Sequence, residues 1–276
     1  MECAENYFLH NLKFKNSSDF NENLLKTGTS IYEVIKVEKR LPVFLEDHLN
    51  RLFDSASISN LKINESYCDF EKLIAELIKK NEVQFGKLKI VVHFENIHST
   101  LQKDLLIYFT PHSNLISRIY ENGVKVGVCD AIRINPNAKI YNSDARKRAN
   151  QRILDDKLFE VLLVNKEGFI TEGSRSNIFF IQDNQLLTPP KTDVLNGITR
   201  QKIIEICKKN DIPLSLKKVN YSDIHKIDAL FLTGTSIKVL PVKSLEKFQF
   251  NSRNILLKKM MQLYNQSVED YLSSKR

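Results

Sequence analysis

The spacing of apolar positions along this chain changes several times, and the changes mark its elements. Thr27-Gly28-Thr29-Ser30 leads into Ile31-Tyr32-Glu33-Val34-Ile35-Lys36-Val37, a run of β-branched residues that predicts a strand, and Glu38-Lys39-Arg40-Leu41-Pro42 reads as the turn that ends it. From residue 45 the period lengthens. Leu45, Leu49, Leu52, Phe53 and Ala56 fall on one stripe, which predicts a helix and places Arg51 beside that stripe. A second amphipathic helix is predicted over residues 69 to 80, with Phe70, Leu73, Ile74, Leu77 and Ile78 on one side. Residues 87 to 94 and 104 to 109 read as a strand pair, and Pro111-His112-Ser113-Asn114 as the exit from an N-terminal α+β domain.

The second half opens with a strand at 124 to 128 and passes through Arg133-Ile134-Asn135-Pro136-Asn137 to Lys139, after which residues 143 to 156 have helical character. Residues 159 to 164 and 169 to 172 form a predicted hairpin about Asn165-Lys166-Glu167-Gly168. Two short strands follow, at 177 to 181 and 185 to 188, ended by Pro189-Pro190. Gly197-Ile198-Thr199-Arg200 opens a helix that runs to residue 209, residues 229 to 233 are a buried strand running into Gly234-Thr235-Ser236, and a closing helix covers about 255 to 271. The domain reading is therefore 1–115 as an N-terminal α+β domain, 116–121 as linker, and 122–276 as a mainly β C-terminal domain with helices that carries Lys139.

With 276 residues and 42% hydrophobic content, the chain can bury substantial cores without covalent staples. Cys3, Cys68, Cys129 and Cys207 are scattered, with no CxxC and no His at ligand spacing, so neither a disulfide framework nor a metal site is expected. The acidic start Met1-Glu2-Cys3-Ala4-Glu5 and the lack of any span-length apolar run predict a cytoplasmic protein with no membrane partner. A net charge of +8 raises the question of an anionic partner. The lysines are dispersed over amphipathic patterns and there is no Trp, so nucleic acid is not expected.

Candidate chemistry sits in a few stretches. Taken singly, Lys139 is one more lysine in a lysine-rich chain, Glu172 a carboxylate at a hairpin end, and Gly234-Thr235-Ser236 a strand exit. Thr199 is at once a possible helix cap and, with Ile198, part of a helix start where backbone N–H groups favour an anion. In their order and separation, Asn137-Ala138-Lys139, Thr171-Glu172-Gly173-Ser174-Arg175-Ser176-Asn177-Ile178-Phe179-Phe180 and Leu195-Asn196-Gly197-Ile198-Thr199-Arg200 resemble the class IV (fold-type IV) aminotransferases. That family includes branched-chain and D-amino acid aminotransferases and aminodeoxychorismate lyase, all using pyridoxal phosphate. His48, Leu49, Arg51, Leu52, Ser55 and Ala56 match its His-Leu-x-Arg-Leu-x-x-Ser-Ala helix.

The resemblance implies a two-domain α+β fold of the D-amino acid aminotransferase type, with the cofactor between the domains, and a homodimer. It implies Lys139 as the lysine that bonds the cofactor aldehyde and relays a proton, which requires it to be partly neutral, and Glu172 as the partner of the pyridine nitrogen. Arg51, Ile198, Thr199 and Thr235 would take the phosphate, and Leu195 would pack on the ring. Tyr32, Lys36, Thr235 and Ser236 fall at substrate positions, with an amino acid and a 2-oxo acid as substrates. The chain departs from the family at Asp144, where branched-chain enzymes carry a tyrosine that contacts the cofactor hydroxyl; Tyr141 lies nearby. Phe94-Glu95-Asn96-Ile97-His98 lacks the arginine of the D-specific enzymes, and Lys36 replaces the usual arginine, so an L-amino acid is the expected donor. The alternatives are pyruvate elimination, as in the lyase branch, and, more distantly, a cofactor-fold or anion-binding protein without turnover.

Overall fold

The computed structural model describes residues 2–111, 117–131, 136–140 and 144–276. The chain divides into two compact units, one comprising Met1–Asn114, Ala138–Tyr141 and Asp270–Arg276, the other Leu115–Asn137 and Asn142–Glu269.

The first unit runs β1 (Tyr7–His10), β2 (Lys13–Asn16), β3 (Thr29–Glu38), β4 (Leu41–Pro42), α1 (Leu45–Ile58), α2 (Tyr67–Lys80), β5 (Phe85–Ile97) and β6 (Thr100–Thr110). Its strands pair antiparallel in the order β2-β1-β6-β5-β3-β4. Alternation on β3 sorts the side chains. Ile31, Ile35 and Val37 join Leu45, Leu49 and Leu52 of α1 and Phe70, Ile74 and Leu77 of α2 in one core, while Tyr32 joins Phe8, Val91, Leu106 and Tyr108 in a second. The predicted turn after β3 is made by Lys39 and Arg40, both at positive φ. A capping box between Ser66 and Asp69 starts α2. Phe44, at the N-cap of α1, offers no side-chain cap; instead Leu45 N donates to the Tyr271 hydroxyl at 3.1 Å, and that hydroxyl donates to Glu46 Oε2 at 2.7 Å.

The second unit begins with α3 (Ser117–Asn122), a short helix in the stretch that the sequence reading assigns to a linker. It continues through β7 (Val124–Asp130), α4 (Asp144–Asp155), β8 (Glu160–Val164), β9 (Phe169–Gly173), β10 (Asn177–Gln182), β11 (Gln185–Thr188), α5 (Ile198–Lys209), β12 (Leu214–Leu216), β13 (Val219–Asn220), β14 (Ala229–Gly234), β15 (Lys238–Leu245), β16 (Phe248–Gln249) and α6 (Ile255–Ser274). The sheet order is β12-β11-β10-β14-β15-β7-β8-β9-β13, with β16 on β15. One face of β10 and β14 supplies Ile178, Phe180, Leu230 and Leu232 to a core with Leu162, Leu240 and Val242. The opposite face carries Asn177 and Thr233 as cross-strand partners, followed by Phe179 and Phe231, whose rings stack at 5.1 Å.

Two differences from the sequence reading concern where things sit. Lys139 groups with the first unit rather than with the C-terminal domain, because Tyr32 N donates to Lys139 O at 3.1 Å and Ile140 bridges to Ile31. The final residues, Asp270–Arg276, also group with the first unit.

Candidate functional site

In the first unit the candidate residues converge on α1 and β3. Glu33 lies on the core-facing side of β3 and is fully buried. Arg51 Nε donates to its Oε1 and Arg51 Nη2 to its Oε2, each at 2.7 Å, and His48 Nδ1 bonds Oε2 at 2.7 Å. His48 and Arg51 are three residues apart on α1, so both reach the same carboxylate. Burial pushes the Glu33 carboxyl up, but the Arg51 charge and hydrogen bonds, with His48 after them, outweigh it and bring it from 4.5 down to about 2. His48 is itself held below its ordinary value, first by burial. Its Nδ1 faces the Glu33 carboxylate as donor, and Arg51 makes the two-pronged ion pair.

This pairing predicts an acid sensitivity. A carboxyl held below its unfolded value contributes stability above pH 4.5 and loses that contribution as pH falls towards 2. Thermal melts should decline steeply over that window. Glu33→Gln should be about 3 kcal/mol less stable at neutral pH, because it strands the Arg51 charge, and should show a flatter decline in acid. An unchanged slope in Glu33→Gln would assign the acid sensitivity to another carboxylate.

Lys139 is half-buried, and its Nζ stands 4.8 Å from the centroid of the Tyr32 ring. Its main-chain N–H donates to Ser55 Oγ on α1 at 3.2 Å. Tyr32 is buried, and Lys36 pairs with Glu38 two residues on along the same face of β3. Tyr141 lies outside the described residues, as does the side chain of Asp144, the first residue of α4.

In the second unit Glu172 is buried near the end of β9. Asn177 Nδ2 donates to its Oε2 at 3.3 Å and to Leu195 O at 2.8 Å, and Leu195 N donates to the same Oε2 at 3.1 Å. Leu195 thus meets Glu172 through its main chain, in addition to presenting a buried side chain. Asn137, in its hydrogen-bonded orientation, donates to Lys191 O and Val194 O at 3.0 and 3.2 Å, which ties down the loop before Leu195.

Gly197 precedes α5 in an extended conformation and, among the described residues, that helix start has no side-chain cap hydrogen bond. The first-turn N–H groups, those of Ile198 and Thr199 among them, thus face outward from a positive helix end. Thr199 Oγ1 lies 3.4 Å from the Tyr264 hydroxyl on α6. Thr235, half-buried, and Ser236, exposed, form the turn between β14 and β15.

Arg200 is buried, with Nη2 donating to Pro189 O at 2.8 Å; burial lowers its pKa and the negative charge of Glu172 opposes that shift. Arg200 Nε and Thr233 Oγ1 are buried without a hydrogen-bond partner among the described residues. Glu33, Asn177, Arg200 and Thr233 had no role in the sequence reading. The available signal was their position: a polar residue inside an apolar strand or at the first turn of a helix.

Against known proteins, the model of the family described as Amino-transferase class IV matches residues 30–245. The chain belongs to the class IV aminotransferases. It is 26% identical to a D-alanine aminotransferase of Bacillus licheniformis, over 83% of each chain. It is 30% identical to a probable branched-chain-amino-acid aminotransferase of Rickettsia bellii, over 76% of this chain and 77% of that one. Its fold superposes on the branched-chain amino acid aminotransferase of Escherichia coli with a TM-score of 0.86 at 24% identity, covering 96% and 95% of the two chains.

The family is PLP-dependent, and the second unit has the chemistry to suit such a group. It offers a buried carboxylate for a protonated ring nitrogen, an uncapped helix start for an anion and, among the described residues, Arg200 Nε and Thr233 Oγ1 buried without a hydrogen-bond partner. Among the described residues no helix is long and apolar enough to cross a membrane.

Space near Glu172 is tight enough to test. A Cβ on Gly197 would lie 2.0 Å from Asn177 Oδ1, although the backbone there suits any residue. Gly197→Ala should therefore push Asn177 off Glu172 and Leu195 and cost about 1–3 kcal/mol. In the Asn177→Ala background the same change should cost far less, since the clashing atom is gone. Equal costs in both backgrounds would locate the strain elsewhere.

Proposed function

We propose that this chain is a PLP-dependent aminotransferase, acting as a homodimer, that transfers the amino group of an L-amino acid of the branched-chain type to a 2-oxo acid. The observation that carries the reading is the buried Glu172 carboxylate, held by Asn177 Nδ2 and Leu195 N at 3.3 and 3.1 Å, in the unit that contains the uncapped start of α5. When bound, pyridoxal phosphate supplies an aldehyde that bonds amines and a ring that accepts electrons.

The chain's own residues do the rest. Glu172 would accept a hydrogen bond from the ring N–H and favour protonation of that nitrogen. Ile198 and Thr199 N–H groups, the Thr235 hydroxyl and Arg51 would be the groups for the phosphate, and Leu195 the apolar side chain for the ring. Arg51 brings its guanidinium already oriented by Glu33. Lys139 would supply the amine that holds the cofactor and would be the base that takes the proton from the substrate Cα and returns it. Tyr32, Lys36, Thr235 and Ser236 bind the substrate, with Lys36 as the cation for a carboxylate.

The branched-chain names among the relatives support the donor class, and the absence of an arginine from residues 94 to 98 supports L over D. An absorption scan of the PLP-supplemented, desalted protein, titrated with L- and D-amino acids, tests this. The expected result is a retained visible band that an L-branched-chain amino acid converts and a 2-oxo acid restores. Conversion by D-amino acids alone would overturn the stereochemistry. Release of pyruvate from aminodeoxychorismate without an acceptor would assign the lyase reaction instead, and absence of any band would overturn the cofactor.

A further inference from the structure

We propose that Ser55 is a positioning residue for Lys139, clamping the lysine's main chain to the helix that also carries Arg51; the proposal rests on the reading of Lys139 as the cofactor lysine. Ser55 is fully buried on α1. Its hydroxyl donates to Arg51 O at 2.7 Å and accepts from Lys139 N at 3.2 Å. The first bond is the ordinary one that a helical serine makes to the carbonyl four residues back. The second is not ordinary, because it leaves the helix for a backbone N–H 84 residues further along the chain.

The direction of both bonds follows from the chemistry. A backbone N–H can only donate, so the serine oxygen accepts from Lys139, and its single proton goes to the Arg51 carbonyl. The hydroxyl is therefore committed and is not a proton carrier, which makes Ser55 a positioning group rather than a catalytic one.

On the other side of the lysine, Lys139 O accepts from Tyr32 N at 3.1 Å, Ile140 bridges to Ile31, and Ile140 N donates to Ala138 O at 3.1 Å. The two peptide groups that flank the Lys139 Cα are thus bonded to different elements, one to α1 and one to β3. Together they set the direction in which the Cα–Cβ bond leaves the chain. An amine that must reach one carbon and then one proton depends on that direction. Among the described contacts of this clamp, that of Ser55 runs through its side chain, so it can be removed by substitution. Alanine at 55 would leave the helix intact, being the better helix former, and would delete the acceptor for Lys139 N together with the local bond to Arg51 O.

The test uses the full chain with Ser55→Ala, with Ser55→Cys as a near-isosteric weak acceptor, and with Ser55→Thr, which keeps the hydroxyl. Amide exchange at Lys139 in the cofactor-free protein reads the clamp directly: it should quicken about tenfold in the Ala and Cys variants and stay near wild type in Thr. Pyridoxal phosphate is then added, trapped with borohydride and mapped by peptide mass. Wild type should carry the label on Lys139. The Ala and Cys variants should need about tenfold more cofactor for half-labelling and should show a shifted pH midpoint of the visible band, with Thr restoring both.

Labelling of Lys139 in the Ala variant at wild-type cofactor concentration and pH midpoint would overturn the proposal, even if its melting temperature falls. Unchanged Lys139 exchange in the Cys variant would overturn the clamp itself. Wild-type label on another residue would remove the cofactor reading and this proposal with it. The Cys variant keeps the test decisive should Ala fold poorly.

Discussion

Lys139→Ala is expected to lose transamination almost completely, with turnover down by more than about 10⁴-fold, because on the proposed reading one substitution removes both the amine for the cofactor and the base at the substrate Cα. The structure gives a reason to expect this loss without unfolding. The bonds that place this segment, from Lys139 N to Ser55 Oγ and from Tyr32 N to Lys139 O, use main-chain atoms that alanine retains. The side chain itself is half-buried against Tyr32, so stability should change by less than about 1 kcal/mol. Borohydride should then fix no cofactor at position 139, and Lys139→Arg should be equally inactive, since a guanidinium does not become a neutral amine near pH 7. Turnover within tenfold of wild type in Lys139→Ala would remove this lysine from the chemistry.

Glu172→Gln is expected to lower kcat by about 10²–10³-fold while moving KM much less. The carboxamide oxygen can still accept from Asn177 Nδ2 and Leu195 N, so the loop that carries Leu195 keeps its anchor. What disappears is the negative charge that, on the proposed reading, would hold a ring nitrogen protonated. That charge also acts on Arg200, whose pKa burial lowers and Glu172 raises. If Glu172→Gln keeps wild-type kcat, Glu172 is an anchor for the Leu195 loop rather than a partner of the cofactor. Asn177→Ala, which breaks the same anchor while leaving the charge, separates these two roles: the electrostatic reading expects it to be the milder variant.

Helices α1 and α2 were legible because each is a single apolar stripe at helical spacing, and α2 also carries its own capping box. Strand β15 was not, because Pro241 interrupts a run that otherwise alternates, and a proline argues against an interior strand. Here Pro241 pairs with Phe231 in the middle of the sheet. Helix α3 was hidden in the expected linker because six residues are too few to show a period. Glu33 illustrates a different limit. Its place in the alternation of β3, between Ile31 and Ile35, is visible in the sequence, but a carboxylate there is tolerable only if cations meet it, and those come from the next element.

The sequence by itself determined the elements with strong periods, the family to which the chain belongs, and the residue types that carry its candidate chemistry. These are properties of local pattern and of motif order, and both survive without coordinates. The tertiary structure alone decided that Lys139 is held by α1 and β3 of the first unit, that Leu195 meets Glu172 through its main chain, and that Asn177 joins the two. The reason is physical. These bonds span 84, 23 and 18 residues along the chain. Whether such groups meet depends on sheet register and on how a helix seats on a strand, which no local periodicity encodes.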